Sequence, residues 1–324
     1  MPETAAHRLL PGGAPPPLAI LGTTASGKSS LAMELARRRG DVELVSVDSM
    51  QVYRGMDLGT AKPTPAEQAE VRHHVIDLVD PWEPFEVHSF QQAVAAALAD
   101  IASRDRRAVL VGGTGMYLQA VVDGFEIPGR FPEVAAQLEA DPDTRAMHAR
   151  LTKLDPLAAS RMEPDNRRRV VRALEVTLGS GRPFSSFGPG VSSHPPTPIR
   201  LVGVRLPQPA VAERIEARYH QQVADGFLDE VQRLHAGPDL SRTAAQALGY
   251  RELLAHVAAR AEGRDEPTFD DALDEAIRRT RAFARRQRAW FRRDPRITWL
   301  DAEHDPSGLV EDLEALAVEH WSGP

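Results

Sequence analysis

Near the start of the chain, a short apolar run opens directly into a glycine-rich loop and then into a helical pattern. The apolar run covers residues 18–21 (LAIL), the loop covers 22–29 (GTTASGKS), and the helical pattern follows from residue 30. A strand, a loop and a helix in this order are the context that the phosphate-binding pattern G-x-x-x-x-G-K-[ST] requires. The alternative is a glycine-rich turn capped by a serine. Lysine occurs only three times in the chain, so a chance match of Lys28 to the lysine position of the pattern would be rare, which favours the phosphate loop.

The residue types of this loop suit a phosphate group. Glycines let backbone N–H groups turn toward phosphate oxygens, and the start of the following helix adds its dipole. Lys28 supplies a positive point charge, and the Ser29 hydroxyl can hold Mg²⁺. We therefore expect a phosphate site with Mg²⁺ as cofactor and Ser29 as the metal ligand. The residues expected to contact phosphate are Gly22, Thr23, Thr24, Ala25, Ser26, Gly27, Lys28 and Ser29.

Two further apolar segments are typical of strands in the same sheet. Residues 43–48 (ELVSVD) end in Asp48, and residues 108–115 (AVLVGGTG) end in glycines around Thr114. Strands that alternate with helical patterns predict an α/β fold, here a P-loop NTPase-like core with a parallel sheet flanked by helices. Ligands of such sheets bind at the carboxyl ends of the strands. We therefore expect Ser29, Asp48 and Thr114 to converge on one pocket.

Asp48 and Thr114 each allow two interpretations. Asp48 either closes its strand with an Asx turn, or offers a carboxylate that holds Mg²⁺ through water or takes a proton from a nucleophile. Thr114 either caps the helix that follows, or directs its hydroxyl at Asp48 or at a substrate group. An ordinary NTPase usually has a metal-binding acid after a strand such as 109–111. This chain has glycines there, which argues against a simple ATPase.

Length and composition narrow the class of protein further. A chain of 324 residues predicts about two domains. The absence of cysteine excludes disulfides, thiolate metal sites and cysteine nucleophiles. No apolar stretch approaches the roughly 20 residues that span a bilayer, so we expect no membrane association. The proline-rich residues 1–17 are expected to form a disordered tail without the apolar part of a signal peptide, which indicates a cytoplasmic protein. We expect it to be a monomer.

Residues 123–199 change to helical patterns and end in a proline-rich segment. We predict a helical insertion there, within a core made of residues 18–122 and 200–324. The insertion carries a basic cluster at 167–172 (RRRVVR). The net charge is −7, so a nucleic acid would have to bind a local patch of this kind.

A second basic patch is predicted on a helix at residues 273–293. Five arginines recur there at spacings of three and four and share one face. Without acidic neighbours the arginines of this face repel one another unless a bound anion neutralises them. The other interpretation is a charged face that is simply exposed to solvent. The five residues are Arg278, Arg281, Arg285, Arg288 and Arg292.

Several longer segments resemble the bacterial tRNA dimethylallyltransferases. After the phosphate loop come residues 48–63 (DSMQVYRGMDLGTAKP), 73–77 (HHVID), 112–118 (GGTGMYL), 169–175 (RVVRALE), 246–250 (QALGY) and 285–291 (RRQRAWF), in the order of that family. The segment from Asp48 is far more specific than the phosphate loop.

The resemblance implies a reaction and its residues. A dimethylallyl group moves from dimethylallyl diphosphate to the exocyclic N6 amine of the adenosine next to the anticodon, in tRNAs that read codons beginning with U. The phosphate loop and Arg251 would hold the diphosphate, Asp48 would be the general base, and Thr114 would position the reacting groups. The partner is the tRNA anticodon stem-loop, whose target base must be flipped out. The residues expected to contact tRNA are Asp48, Ser49, Met50, Gln51, Thr114, Asn166, Arg167, Arg168, Arg169, Val170, Arg281 and Arg285.

Two other classes remain open on the residues alone. A P-loop kinase of a small metabolite would use Asp48 as a base toward a hydroxyl, and a non-catalytic RNA-binding protein would use a nucleotide as a switch. The kinase does not explain the basic insertion. Tight ATP binding would favour either alternative, whereas a diphosphate ligand that ATP cannot displace would favour the transferase.

Overall fold

The computed structural model describes residues 10–188, 190–191 and 193–322, and they form two compact units. The larger unit contains the described residues up to Gly124 and from Pro195 onward, and the smaller unit is Phe125–His194. The predicted insertion, 123–199, is a few residues longer at each end than this smaller unit. At the later boundary, Thr197 already belongs to the larger unit, because its Oγ1 donates to Val122 O over 3.1 Å.

The first part of the larger unit alternates strands and helices. It begins with β1 (Leu18–Gly22), which is completely buried, and α1 (Lys28–Arg39), with the phosphate loop between them. The elements that follow are β2 (Val42–Val47), α2 (Pro65–Glu70), β3 (His73–His74), α3 (Val87–Ala102), β4 (Arg107–Gly112) and α4 (Gly115–Val122).

The smaller unit consists of helices packed around a core of its own. Its elements are α5 (Pro132–Ala140), α6 (Thr144–Leu154), α7 (Pro156–Ala159), α8 (Arg167–Ser180) and a short 3₁₀ turn at Phe184–Phe187. Leu151, Val170 and Leu174 are fully buried in its core. The predicted helical character of this insertion is confirmed.

The chain then returns to the larger unit. The elements there are β5 (Arg200–Arg205), α9 (Gln208–Ala224), α10 (Phe227–His235), α11 (Tyr250–Ala261), α12 (Phe269–Phe291), β6 (Thr298–Asp301) and α13 (Val310–Ser322). The predicted arginine-rich helix begins earlier than expected, because Thr268 and Asp271 form a capping box in front of it. None of the helices in the described residues combines the length and the apolar character needed to cross a bilayer.

The six strands form one parallel sheet in the order β3-β2-β4-β1-β5-β6. The predicted parallel sheet flanked by helices is confirmed. The two outermost strands were not predicted, because β3 has only two residues and β6 is only half-buried, so neither leaves an apolar run. The sheet order makes β1, β2 and β4 neighbours and brings their carboxyl ends to the same edge.

Residues 16 and 17 are anchored to the last helix. His320 Nε2 lies 3.1 Å from the carbonyl oxygens of Pro16 and Pro17, and Trp321 Nε1 donates to Pro16 O over 3.0 Å. The expectation of a disordered tail that reaches residue 17 is therefore wrong at this end, because α13 supplies partners that the local sequence does not reveal. Residues 1–9 of the expected tail lie outside the described residues.

Candidate active site at the carboxyl ends of the strands

The phosphate loop is a tight turn whose shape depends on small residues. Gly27 has φ +83° and Ala25 has φ +60°, both in the left-handed region. Ser26 is fully buried beneath the loop, and a Cβ at Gly22 would lie 2.5 Å from Ser26 Oγ. A Cβ at Gly27 would collide with the ring of Pro306. This backbone therefore requires the two glycines of the motif at these positions.

Lys28 is the first residue of α1, and its Nζ donates to Thr23 O over 3.2 Å. Burial lowers the pKa of Lys28 from 10.5 to about 8. The Asp48 carboxylate acts against this shift of the lysine pKa, and the Arg218 guanidinium adds to it. A desolvated cation of this kind is stabilised when an anion binds beside it. The site therefore favours a phosphorylated ligand.

Asp48 directly follows β2, and its carboxylate is held by the backbone. Its Oδ1 accepts a hydrogen bond from Met50 N over 2.8 Å, which is the Asx turn that the sequence allowed. No other described residue bonds to Oδ2 of this half-buried carboxylate. The turn is therefore compatible with a role as a base, because it orients the group and leaves one oxygen available.

Thr114 stands at the N-cap position of α4, but its side chain does not cap that helix. Its side chain makes no capping bond to α4, and its Oγ1 instead accepts a hydrogen bond from Ser49 N over 3.3 Å. The capping interpretation is therefore wrong. The bond joins the loops after β2 and β4, directly beside Asp48. The structure thus brings the phosphate loop, Asp48 and Thr114 to one edge of the sheet.

Two helices from the second half of the chain also reach the phosphate loop. From α9, Arg214 Nε donates to Ala25 O and Arg218 Nη1 donates to Thr24 Oγ1, each over 2.9 Å. From α12, Gln287 Oε1 accepts from Thr24 N over 2.8 Å. None of these three side chains was predicted to reach the loop, because nothing in the local sequence indicates contacts so distant along the chain. The only available signal was the position of Gln287 inside the family segment.

Arg218 has a donor that an anion could satisfy. Its Nε is buried and has no hydrogen-bond partner among the described residues. Burial also lowers the pKa of Arg218 below its usual value. A buried guanidinium N–H without an acceptor is costly, and a phosphate oxygen is a suitable acceptor for it. Arg218 therefore extends the cationic side of the site beyond Lys28.

The loop after β2 is locked by bonds within the chain. Lys62 Nζ donates to Tyr53 O over 2.7 Å and to the carboxylates of Asp57 and Asp77 over 2.6 Å each. The buried lysine needs acceptors at fixed positions around it. This need gives a physical reason why the family segment 48–63, which contains Lys62, is so specific.

Gln51 belongs to the same loop and was expected to contact the tRNA base. Its Oε1 accepts from Ser46 Oγ over 2.7 Å, and its Nε2 donates to the carbonyls of Thr60 and Ala61. Both ends of the Gln51 amide are therefore already bonded, whereas Ser49 and Met50 are half-buried at the site edge. Contact of Ser49, Met50 and Gln51 with tRNA stays a prediction.

Arg251 was expected to bind diphosphate. It is exposed on α11, and its Nη1 donates to Gln246 Oε1 over 3.1 Å. None of the described phosphate-loop residues bonds to it. Its role stays a prediction, and Arg218 is the arginine that the structure brings to the loop.

The oxygen atoms at this edge fit Mg²⁺ only together with a ligand. The described residues contain no group of three or more histidine or acidic side chains that could hold a metal. Ser29 is exposed in the first turn of α1, and Asp48 leaves Oδ2 available. Mg²⁺ commonly binds one or two protein oxygens, substrate phosphates and water. The site therefore fits a Mg²⁺ ion that is held largely by a phosphorylated ligand.

The basic cluster of the smaller unit divides into structural and exposed arginines. Arg167 Nη2 donates to Glu139 O over 2.9 Å and to Asp141 O over 2.6 Å, at the end of α5. Arg172 Nη2 donates to Pro128 O over 2.7 Å. These two arginines hold the unit together, and Arg167 would lose these bonds if it turned toward RNA.

The remaining members of the expected tRNA-contact segment differ in exposure. Arg168 and Arg169 are exposed, and their guanidinium groups bond to no other described residue. Asn166 is exposed at the start of α8, where its side chain accepts from Arg169 N. Val170 is fully buried in the core of the unit, so its side chain is not at the surface, and its contact with tRNA stays a prediction.

Most of the predicted arginine face of α12 is already bonded to carboxylates or to a backbone carbonyl. Arg278 pairs with Glu275 and Arg281 pairs with Glu216, each at 2.6 Å, and Arg288 donates to a backbone carbonyl. The expectation of a positive face without acids is therefore wrong, because α9 and α12 itself supply the carboxylates. Arg281 is engaged with α9.

Arg285 and Arg292 remain as the exposed members of this face. Their guanidinium groups bond to no other described residue. Contact of Arg281 and Arg285 with tRNA stays a prediction, and Arg285 is the more accessible of the two.

The fold and the site define a P-loop protein of the α/β class, with the Asp48 carboxylate beside the loop. The sequence profile described as IPP transferase matches residues 51–294, and the profile described as isopentenyl transferase matches residues 18–80. The chain belongs to the tRNA dimethylallyltransferase family.

Individual relatives resemble the chain over nearly its whole length. The tRNA dimethylallyltransferase of Roseiflexus sp. RS-1 is 46% identical over 94% of this chain and 98% of its own. The tRNA dimethylallyltransferase of Nocardioides sp. JS614 is 43% identical, over 95% of this chain and 97% of its own. Among solved structures, the tRNA isopentenylpyrophosphate transferase of Bacillus halodurans is 34% identical with a TM-score of 0.68, covering 95% of this chain and 97% of that one. The resemblance seen in the sequence and the P-loop NTPase-like fold are confirmed.

A further solved structure is a eukaryotic dimethylallyltransferase described as acting on tRNA. It is 26% identical with a TM-score of 0.75, and the match covers 94% of this chain and 78% of that chain.

Proposed function

We propose that this protein transfers the dimethylallyl group of dimethylallyl diphosphate to the N6 amine of the adenosine next to the anticodon, in tRNAs that read codons beginning with U. The observation that carries the proposal is the sheet edge, where the half-buried Lys28 and the phosphate loop lie beside Asp48 with one free carboxylate oxygen. The names of the relatives support the same substrates, since they are tRNA dimethylallyltransferases.

Asp48 acts as the general base toward the amine. The lone pair of an adenine amine is delocalised into the ring, so removing a proton as the nitrogen attacks makes it a better nucleophile. The N–C bond forms at the allylic carbon while the C–O bond to diphosphate breaks. The proton passes to Asp48 Oδ2, because the bond from Met50 N occupies Oδ1.

The phosphate loop binds the departing diphosphate. Lys28 and the guanidinium of Arg218, whose Nε is buried, face the negative charge that develops on the leaving oxygen. Ser29 and the diphosphate oxygens would hold Mg²⁺, which when bound neutralises part of that charge. Thr114, joined to Ser49, places its hydroxyl beside the reacting groups.

Exposed arginines contact the tRNA anticodon stem-loop. Arg168, Arg169 and Arg285 carry guanidinium groups that no other described residue occupies. Their contacts with backbone phosphates would offset the few kcal/mol that flipping the target base costs. We also propose that the protein works as a monomer in the cytoplasm, where tRNA is found.

The substrate assignment is tested with two unmodified tRNA transcripts and radiolabelled dimethylallyl diphosphate in the presence of Mg²⁺. One transcript has adenosine next to the anticodon, and its matched control has guanosine, which lacks the N6 amine. We expect label only in the adenosine transcript. Equal label in both transcripts would contradict the proposed acceptor, and label in neither would contradict the transfer itself.

A further inference from the structure

Gln287 is a buried side chain of α12 that bonds to two loops of the candidate site at once. Its Oε1 accepts from Thr24 N and its Nε2 donates to Gly113 O, each over 2.8 Å. The residue is only 6% exposed, and two backbone partners on opposite sides hold its amide in one orientation. We propose that Gln287 is a positioning residue of the transfer reaction, which holds the phosphate loop in register with the Thr114 loop. This inference rests on the proposed function.

The bond to Thr24 also determines the direction of the preceding carbonyl. The peptide bond between Thr23 and Thr24 is trans, so its N–H and C=O groups point to opposite sides. With the N–H directed at Gln287, the Thr23 carbonyl is directed away from it, and Lys28 Nζ donates to that carbonyl over 3.2 Å. Gln287 thereby orders Lys28 through a single peptide unit, without contacting the substrate.

The bond to Gly113 acts on the other side of the site. A Cβ at Gly113 would lie 2.5 Å from Gln287 Nε2, so the amide can approach this closely only because residue 113 is glycine. The next residue is Thr114, whose hydroxyl accepts from Ser49 N. A second contact lies one turn further along α12, where a Cβ at Gly115 would be 2.5 Å from Trp290. The helix therefore holds the Thr114 loop at two points.

Gln287→Met tests this role, because it keeps the length of the side chain and removes both hydrogen bonds. Its matched control is Gln91→Met, since Gln91 is 7% exposed and its Nε2 donates to Ala120 O over 2.7 Å, away from the phosphate loop. The measurements are the affinity for inorganic diphosphate by calorimetry, the KM for dimethylallyl diphosphate, the affinity for tRNA and the melting temperature. Gln287→Glu is the second variant, since it keeps an acceptor for Thr24 N and loses the donor to Gly113 O.

We expect Gln287→Met to weaken diphosphate binding about tenfold and to raise the KM by a similar factor, with tRNA affinity unchanged. Gln91→Met should lower the melting temperature and leave diphosphate affinity as in the wild type. Gln287→Glu should also weaken diphosphate binding, and this variant decides the result if Gln287→Met does not fold.

The split between KM and kcat separates positioning from general stability. If Gln287→Met loosens the phosphate loop that Lys28 and Thr23 belong to, the KM for dimethylallyl diphosphate should rise by more than kcat falls, because the substrate diphosphate is then held less well. Gln91→Met should leave both constants as in the wild type.

The outcomes are distinct. If the wild type transfers label and the folded Gln287 variants match it in diphosphate affinity and in KM, the inference is overturned and Gln287 is a packing residue. If the wild type neither binds diphosphate nor labels tRNA, the proposed function fails and this inference fails with it.

Discussion

The backbone N–H of Ser49 donates to the Thr114 hydroxyl over 3.3 Å and so joins the loops that follow β2 and β4. The bond lies one residue beyond Asp48, whose carboxylate is oriented by a hydrogen bond from Met50 N. The candidate base and the hydroxyl beside it are therefore held by the same loop. Because both strands end at the edge where the phosphate loop lies, the bond connects the candidate base to that loop.

Thr114→Val tests this connection, because valine has the shape of threonine and no acceptor for Ser49 N. We expect single-turnover transfer to slow by about tenfold, in keeping with the loss of one positioned hydrogen bond. Thr114→Ser keeps the hydroxyl and should restore most of the rate. If the valine variant reacts at the wild-type rate, the hydroxyl has no part in the reaction.

Asp48→Asn separates the turn from the proton transfer. Asparagine can still accept from Met50 N, so the Asx turn is retained, but the side chain is not basic. We expect the rate of transfer to fall by about 10²-fold or more, while tRNA affinity stays largely intact. Asp48→Ala removes both properties and serves as the comparison. Turnover of the asparagine variant at the wild-type rate would exclude Asp48 as the base.

The pKa of Lys28 predicts how diphosphate binding depends on pH. Without ligand this pKa is about 8, and the anion binds to the protonated lysine, so affinity is fully present below pH 8 and decreases above it. Each further pH unit should weaken diphosphate binding up to tenfold. Lys28→Arg keeps its charge over this range and should show a nearly flat profile. A wild-type profile as flat as that of the arginine variant would contradict the lowered pKa.

Adjacent arginines of α8 are expected to respond differently to substitution. Arg168→Ala and Arg169→Ala should each weaken tRNA binding, because both side chains are exposed. Each should also reduce by about one the salt slope, which is the slope of the logarithm of the binding constant against the logarithm of the salt concentration. Arg167→Ala should instead lower the free energy of unfolding by about 1–3 kcal/mol, because it removes the charged donor that bonds to the carbonyls of Glu139 and Asp141 at the end of α5. Filter binding at several salt concentrations and thermal melts distinguish the two effects. An equal loss of salt slope in all three variants would contradict this division.

The sequence predicted those parts of the fold that depend on local patterns. The buried run at β1, the glycines at 22 and 27, and the position of Asp48 after β2 follow from apolar periodicity and from the phosphate-loop pattern. The contacts of Arg214, Arg218 and Gln287 with the loop could not be predicted, because they depend on how α9 and α12 pack on the sheet.

The same limit applies to the basic surfaces. Five arginines at helical spacing indicate a shared face of α12, but the pattern does not show that Glu216 of another helix neutralises Arg281. Val170 stands next to exposed arginines in the chain, yet it is buried, because successive residues of a helix point in different directions. Which members of a basic cluster are available to RNA is therefore a property of the packing.

The central claim is that the phosphate loop holds a prenyl diphosphate whose group passes to tRNA. It is tested most directly by incubating the purified protein with unmodified tRNA, Mg²⁺ and radiolabelled dimethylallyl diphosphate, and by following ATP hydrolysis in a parallel sample. We predict one diphosphate released for each label that enters tRNA, with no ATP consumed. Hydrolysis of ATP with no label in the tRNA would contradict this account and would assign the loop to a kinase or an NTPase.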